Sequence, residues 1–195
     1  MPALILASAS PRRRELLQQI GVEFSCFPVD IDETPKTGER PADYVARLAL
    51  EKARACRRIR GGDSVFLGSD TTVTLDDHIL GKPENEQDAV RMLMHLSGRR
   101  HQVMTAVALV QGEREQVETV VTEVEFRPLD EALCRAYWCT GEPCDKAGAY
   151  GIQGMGAVFV SRIEGSYSAV VGLPLMETAR LLESFAVPIW HAPGH

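Results

Sequence analysis

Apolar and polar residues follow two different periods along the chain. In Pro41–Arg60 apolar residues recur every three or four positions, which predicts a long amphipathic helix, and residues 85–96 repeat this pattern. Compact apolar runs predict buried strands at residues 4–7 and 65–68, the second continuing in extended conformation through residues 71–75. The pattern therefore predicts a mixed α/β protein.

The first predicted strand leads directly into the start of a helix. Residues 8–10 (Ser-Ala-Ser) offer a cap and Pro11 suits the first helical position. The helix should end at Gly21, before a strand at residues 22–28. This order places the amino end of a helix beside the carboxyl end of a strand, where unpaired N–H groups and the helix dipole favour an anion.

The second half of the chain changes period. Alternating residues at 101–110 and 116–126 flank a Gln-Gly-Glu turn and predict a long antiparallel hairpin. Glycines then punctuate a region of loops and strands. The other predicted elements are an Asp76-Asp77 turn followed by extended Ile79-Leu80, helices at residues 129–140 and 174–185, and a loose tail from about residue 188. We expect a single domain over residues 1–195, since no repeat or linker interrupts this order.

Composition narrows the classes of function. The formal charge of −6 argues against a surface that binds nucleic acid through bulk phosphate attraction. The apolar run at the amino terminus has no basic residue before it, and no segment approaches the roughly 18 apolar residues that cross a bilayer. We therefore expect neither export nor membrane insertion, and a cytoplasmic protein.

The five cysteines form no C-x-x-C pair, which favours reduced thiols over a disulfide framework. Cys134, Cys139 and Cys144 recur every five residues, a spacing that matches no zinc pattern. We expect these three side chains to be structural or incidental.

Several polar residues occur where a strand or an apolar helix face does not require them. Asp70 follows the buried run at residues 65–68, at the expected end of a strand, where an unpaired carboxylate is costly unless it binds metal or accepts hydrogen bonds. Lys52 and the others also suit ordinary paired or solvated positions, Lys52 as a partner of Glu51 or Glu39. The candidate set is Ser8, Ser10, Arg12, Arg13, Glu33, Lys52, Asp70, Lys82 and Gln153.

Eight ordered motifs resemble the signatures of the Maf family and cover nearly the whole chain. They are SASPRRRELL at residues 8–17, RLALEKA at 47–53, GSDT at 68–71, GKP at 81–83, SG at 97–98, HQVMT at 101–105, DKAGAYGIQG at 145–154 and GLP at 172–174. The resemblance implies a two-lobed α/β fold, with a twisted mixed sheet flanked by helices and a nucleotide cleft between the lobes. It also implies a homodimer, and hydrolysis of nucleoside triphosphates between the α and β phosphates.

That reaction needs an activated water, a divalent ion and cations around a polyanion, which explains the residue types. We expect Asp70 to be the proton acceptor, and Glu33 and Asp70 to offer oxygen ligands to Mg²⁺ or Mn²⁺. Lys52 and Lys82 would be catalytic cations beside the phosphates. The expected phosphate-binding residues are Ser8, Ser10, Arg12 and Arg13.

The resemblance extends to one subtype of the family, which prefers dTTP and UTP. That subtype carries arginine, threonine and glutamine at the positions of Arg12, Thr71 and Gln153. A glutamine amide offers a donor and an acceptor to the imide edge of thymine or uracil, including modified pyrimidines. Ser69 stands where the subtype commonly has alanine.

Two other functions use the same residue types. A nucleotide sensor that regulates septum formation or cell division, a role associated with this family, would need the cations without a well-placed base. A phosphatase that removes the γ phosphate would need similar charges. The identity of the released product separates these alternatives from a pyrophosphatase.

Overall fold

A computed structural model of the protein describes residues 3–190. Its strands are β1 (Leu4–Leu6), β2 (Phe24–Cys26), β3 (Val65–Leu75), β4 (His78–Leu80), β5 (Arg100–Gln111), β6 (Arg114–Phe126) and β7 (Val160–Glu164). Its helices are α1 (Pro11–Gln19), α2 (Pro41–Arg60), α3 (Glu86–Leu96), α4 (Glu131–Trp138), α5 (Tyr167–Val171) and α6 (Leu175–Ser184). Within the described part of the chain, no helix is both long and apolar enough to cross a membrane.

The strands form one mixed sheet in the order β2-β1-β3-β5-β6-β7, with β4 paired to β3. β1 runs parallel to both β2 and β3, whereas the β3–β4 and β6–β7 pairs are antiparallel. Helical connections join the parallel strands, because parallel neighbours need a crossover. The mixed α/β fold with helices flanking a twisted sheet is thus confirmed.

The chain divides into two compact units. Unit 1 contains residues 1–70, 105–120 and 172–195, and unit 2 contains residues 71–104 and 121–171. β3 contributes its first six residues to unit 1 and the remaining five to unit 2. The predicted site residues are consequently distributed over both units.

The core of unit 1 is formed where α2 packs on the parallel strands. Ala53 and Cys56 of α2 join Ile5 and Phe66 of the strands in one buried apolar cluster. Gly68 of β3 permits this close packing, because a Cβ there would lie 2.0 Å from the Ala49 carbonyl oxygen and 2.8 Å from the Ala53 nitrogen. Its missing side chain therefore fixes how near α2 approaches β3.

The core of unit 2 contains an aromatic cluster. Phe126 makes edge-to-face contacts with His101 and Tyr150, and Phe159 contacts Tyr137 in the same way. His101 Nε2 hydrogen-bonds the Tyr150 hydroxyl at 2.8 Å. Burial lowers the pKa of His101 to about 4, so the imidazole is neutral at physiological pH.

Most predicted elements agree with the structure. The helix predicted at Pro41–Arg60 has these bounds, and α3 begins after Asn85, whose side chain accepts a hydrogen bond from Asp88 N. Asp76 and Asp77 form the predicted turn with φ values of 51° and 62°. A two-residue turn joins β5 to β6, which are adjacent in the sheet as the predicted hairpin requires.

Other predictions need correction. Ser10 is the N-cap of α1, but its side chain makes no capping hydrogen bond; instead Ser10 N donates to Ser8 Oγ at 3.2 Å. The glycine-rich region also contains three short 3₁₀ turns and α5, which the scattered glycines did not reveal. Within the predicted loose tail, Trp190 N donates to the Ile20 carbonyl at 2.8 Å. Residues 191–195 lie outside the described residues.

Candidate active site

Ser8 and Arg13 form the first part of the site, where β1 passes into α1. Ser8 is buried, and its Oγ accepts hydrogen bonds from Ser10 N and from the Arg13 guanidinium, both at 3.2 Å. Arg13 also donates from Nε to the Gly172 carbonyl at 2.9 Å. Arg12 lies half-buried in the same first turn of α1. The junction thus collects hydroxyl groups, cations and the amino end of a nine-residue helix, all of which favour an anion.

Burial lowers the pKa of Arg13, and the carboxylates of Asp70 and Glu33 act in the opposite direction. The guanidinium nevertheless stays protonated, since arginine retains its charge throughout the physiological range. Arg13 therefore brings a permanent positive charge under the influence of both acidic site residues.

Asp70 is 8% exposed and lies within β3, as its sixth residue of 11. The expectation that it ends the strand is wrong, because β3 continues through Leu75 and pairs there with β4. β1 pairs with β3 only as far as Leu67, three residues before Asp70. Asp70 therefore lies beyond the carboxyl end of β1, the same end from which Ser8 begins the connection to α1.

Lys52 connects the two acidic candidates. Its Nζ lies 2.7 Å from Asp70 Oδ1 and 2.8 Å from Glu33 Oε1, and its side chain is only 12% exposed. Glu39 and Glu51, the ordinary partners considered from sequence, bind Arg47 instead. The close packing of α2 at Gly68 makes this arrangement possible, since Lys52 and Asp70 belong to the two elements that meet there.

The pKa of Asp70 lies above its ordinary value of 3.8. Burial is the largest cause, and it outweighs the opposing charges of Lys52 and Arg13; the nearby negative charge of Glu33 adds to the increase. A carboxylate with a raised pKa is a stronger base than a solvated aspartate.

Glu33 belongs to a segment without regular structure that side chains of α2 hold in place. Tyr44 donates its hydroxyl to the Glu33 carbonyl at 2.9 Å. Arg47 forms a bidentate hydrogen-bonded ion pair with Glu39 at 2.6 and 2.7 Å, and it donates to the Thr34 carbonyl at 3.2 Å. Hydrogen bonding to Arg47 lowers the pKa of Glu39 to about 2. These contacts hold the backbone at Glu33 and at the residue that follows it.

Glu33 and Asp70 are the two carboxylates of the site, the side-chain type that can hold a divalent metal ion. Each offers oxygen atoms as ligands, and both contact the ammonium group of Lys52. Across residues 3–190 there is no cluster of three or more His, Cys, Asp or Glu side chains poised for a metal. A hard cation held by two carboxylates completes its coordination with water or phosphate oxygens, as magnesium commonly does.

Unit 2 carries the other three candidates. Thr71 is half-buried in β3, Lys82 is exposed just after β4, and Gln153 is exposed in a turn between Ile152 and Gly154. Among the described residues, neither Lys82 nor Gln153 makes a side-chain hydrogen bond or ion pair. The contacts therefore unite Ser8 with Arg13, and Lys52 with Glu33 and Asp70, while the roles of the unit 2 residues stay predictions.

Sequence reasoning gave no role to several residues that hold the site. Tyr44 and Arg47 anchor the segment of Glu33, and Ser69 donates to the same Gly172 carbonyl that Arg13 contacts, at 3.1 Å. Arg47 lies in one of the motifs, which was the available signal. Tyr44 fitted the apolar face of α2, so its hydroxyl gave no indication of a second task.

The cysteines are distributed without a common environment. Cys134 is buried, with its sulfur 3.9 Å from the Met94 sulfur, whereas Cys139 and Cys144 are exposed. All five cysteines are free thiols. Burial raises the pKa of Cys134, which makes its thiol less reactive.

Comparison with known proteins shows the family of the chain. The family model described as Maf-like protein matches residues 3–185. The chain belongs to the Maf family. A dTTP/UTP pyrophosphatase of Vibrio parahaemolyticus is 55% identical over 183 residues, covering 94% of this chain and 97% of that protein. A dTTP/UTP pyrophosphatase of Saccharophagus degradans is 53% identical over 190 residues, covering 96% and 90%.

One solved structure to which the chain is similar is that of a nucleoside-triphosphatase (dITP/XTP pyrophosphatase) from Mycobacterium abscessus. It is 20% identical to this chain, covers 94% of both chains and superposes with a TM-score of 0.47. The family assignment rests on the sequence matches.

Proposed function

We propose that this Maf family protein hydrolyses dTTP and UTP, including modified pyrimidine forms, between the α and β phosphates. The products would be the nucleoside monophosphate and pyrophosphate. Relatives more than 50% identical over nearly their full length are dTTP/UTP pyrophosphatases, which supports this substrate class. The observation that carries the proposal is the buried Asp70 held at 2.7 Å from Lys52, because it gives a basic carboxylate beside a cation.

In the proposed reaction, Asp70 orients a water molecule and accepts its proton. The water oxygen bonds to the α phosphorus while the bond from that phosphorus to the bridging oxygen breaks. Pyrophosphate leaves with the electron pair. Lys52 stabilises the negative charge that develops on the phosphates, since its ammonium already lies among the site's acidic groups.

The phosphate-binding role is proposed for the junction of β1 and α1. Ser8 and Ser10 retain hydroxyl protons to donate, and Arg12 and Arg13 contribute positive charge. Ser8 accepts two hydrogen bonds through its oxygen, which leaves its own proton available. Exposed Lys82 is proposed as a further phosphate ligand, and Thr71 and Gln153 as residues that select the base.

We also propose that the reaction uses Mg²⁺ or Mn²⁺ held by Glu33 and Asp70. These carboxylates have the oxygen chemistry that hard cations prefer. When bound, such an ion would neutralise phosphate charge and polarise a phosphoryl oxygen. A cytoplasmic location and a homodimer belong to the same proposal. Fractionation of cells and sedimentation of the purified protein test these two points.

Product identification tests the proposed function. Purified protein with Mg²⁺ and UTP should release UMP and pyrophosphate in equal amounts. UDP with orthophosphate would instead indicate a γ-phosphatase, and UTP binding without turnover would indicate a sensor. Lys82→Ala and Lys52→Ala should each lower kcat/KM, whereas unchanged values would remove that lysine from the proposed machinery.

A further inference from the structure

The loop that carries Gln153 is tied down by one carboxylate. Glu142 Oε1 accepts hydrogen bonds from the Tyr137 hydroxyl at 2.7 Å and from Gly156 N at 3.0 Å. Its other oxygen, Oε2, accepts from Met155 N at 2.8 Å. Tyr137 completes the attachment, because its hydroxyl oxygen accepts from Gly151 N at 3.1 Å. Both ends of the segment from Gly151 to Gly156 are therefore bound to the same pair of side chains.

Glycines allow the loop to lie this close to its anchor. A Cβ on Gly154 would lie 2.3 Å from Glu142 Oε2, and a Cβ on Gly156 would lie 2.6 Å from the Tyr137 hydroxyl. A Cβ on Gly151 would meet Lys146 Cε at 2.7 Å. A side chain at any of these three positions would displace the group that lies against it. The glycine pattern of the loop is thus explained by contact with the anchor.

The anchor itself is held from its own side. Lys146 Nζ donates to the Glu142 backbone carbonyl at 2.7 Å and contacts Asp145 at 2.8 Å. Burial would raise the pKa of Glu142, but the hydrogen bonds from Tyr137, Gly156 and Met155 outweigh it, so the pKa lies below its ordinary value. Glu142 is consequently ionised at neutral pH, with both oxygens available as acceptors.

We propose that Glu142, together with Tyr137, is a positioning residue for base selection. By binding both ends of the loop, the pair fixes the conformation in which exposed Gln153 presents its amide. If the loop adopted many conformations, binding a base would cost the conformational entropy of ordering it. That loss would weaken discrimination between bases. This inference rests on the proposed role of Gln153 in the proposed function.

The substitution Glu142→Gln isolates the hydrogen bonding. Glutamine keeps the size but replaces one acceptor oxygen with an NH₂ group, which cannot accept from Met155 N or from the donors at Oε1. Glu131→Gln is the matched control, because Glu131 is an exposed glutamate on neighbouring α4 whose ion pair with Arg135 spans 3.5 Å. Gln153→Ala measures the discrimination that the amide itself supplies.

The readout is the ratio of kcat/KM for UTP to kcat/KM for CTP. We expect Gln153→Ala and Glu142→Gln each to lower this ratio about tenfold, the effect of one or two hydrogen bonds. Glu131→Gln should leave the ratio unchanged. The double variant should lose no more than Gln153→Ala alone, because Glu142 acts through Gln153. Hydrogen exchange at Met155 and Gly156 should accelerate in Glu142→Gln.

Different failures have different signatures. Wild-type protein that releases no pyrophosphate contradicts the proposed function, whereas an active enzyme in which only Gln153→Ala changes the ratio overturns the role of Glu142. An unchanged ratio in Gln153→Ala also overturns the inference, since the loop would have no base-selecting group to position. If Glu142→Gln does not fold, Tyr137→Phe replaces it. That variant should lower the ratio about threefold, and an unchanged ratio would overturn the inference.

Discussion

The polar clusters around Lys52 in unit 1 and Glu142 in unit 2 differ in how their charges are satisfied. Lys52 contacts the carboxylates of Glu33 and Asp70, so its environment consists of full charges. Glu142 accepts instead from a hydroxyl and two backbone N–H groups. An ionic cluster can exchange partners when a charged substrate arrives, whereas a carboxylate saturated by neutral donors fixes a backbone. The first arrangement suits chemistry and the second suits positioning.

The pKa shifts of the two clusters follow the same division. Burial holds the pKa of Asp70 above its ordinary value, while hydrogen bonds hold that of Glu142 below. Ionisation of Asp70 therefore costs folding free energy as the pH rises through its folded pKa. Ionisation of Glu142 contributes stability that is present above the ordinary glutamate pKa and is lost as the pH falls through the folded one. The raised pKa thus makes Asp70 a stronger base and lowers the stability of the folded protein once Asp70 ionises.

The largest expected effect comes from Asp70→Asn. Turnover of UTP should fall by about 10²–10⁴, because the proton acceptor is lost while the side chain keeps its size. Binding of UTP should persist and can be measured by calorimetry. Asp63→Asn, an exposed aspartate just before β3, is the control and should turn over normally. Near-normal turnover in Asp70→Asn would remove Asp70 from the mechanism.

Gly68→Ala tests whether close packing of α2 creates the Lys52 cluster. The new methyl would collide with backbone atoms of Ala49 and Ala53, so we expect a loss of about 1–3 kcal/mol in the free energy of unfolding. Activity should fall with it, because α2 carries Lys52. Adding Ala49→Gly should not restore either, since the clash is with backbone. Wild-type stability in urea denaturation would contradict this account.

Arg47→Ala tests the anchoring of the segment that carries Glu33. We expect the Mg²⁺ concentration needed for half-maximal activity to rise about tenfold, while kcat at saturating Mg²⁺ changes less, because disordering Glu33 weakens a ligand without removing it. Arg40→Ala removes an exposed ion pair with Asp43 at the start of the same helix and should change neither value. Equal effects of the two substitutions would show that Arg47 has no special role.

The smallest expected effect is a shift in the pH dependence of kcat/KM. Activity should rise with pH on an acidic limb whose midpoint lies above 3.8, because Asp70 must ionise to accept a proton. Lys52 lowers the pKa of Asp70, so in Lys52→Ala the residual activity should show this limb at higher pH. A limb that stays in place would indicate that another group titrates.

Sequence periodicity predicted the regular elements well, because α2 and β3 bury continuous apolar patterns. The Glu33–Lys52–Asp70 contacts could not be predicted from spacing, since they depend on how closely α2 approaches β3 and thus on the absent side chain of Gly68. The resemblance to family motifs predicted that these residues belong to the site, but it could not predict the contacts between them.

The anchor of the Gln153 loop was less accessible still. Glu142 lies outside any apolar repeat, and Tyr137 fits the buried face of α4 without a role for its hydroxyl. The backbone N–H groups that they bind carry no sequence signal. In the sequence the glycines of the loop marked only loops and strands, whereas the structure shows that Glu142, Tyr137 and Lys146 lie against them.

In the proposed reaction, water attacks the α phosphorus of a pyrimidine triphosphate with Asp70 as the base. Hydrolysis of UTP in ¹⁸O-labelled water, followed by mass spectrometry of both products, tests it most directly. We expect one labelled oxygen in UMP and none in pyrophosphate, with this turnover lowered by about 10²–10⁴ in Asp70→Asn. Label in pyrophosphate, or labelled orthophosphate released with UDP, would contradict it.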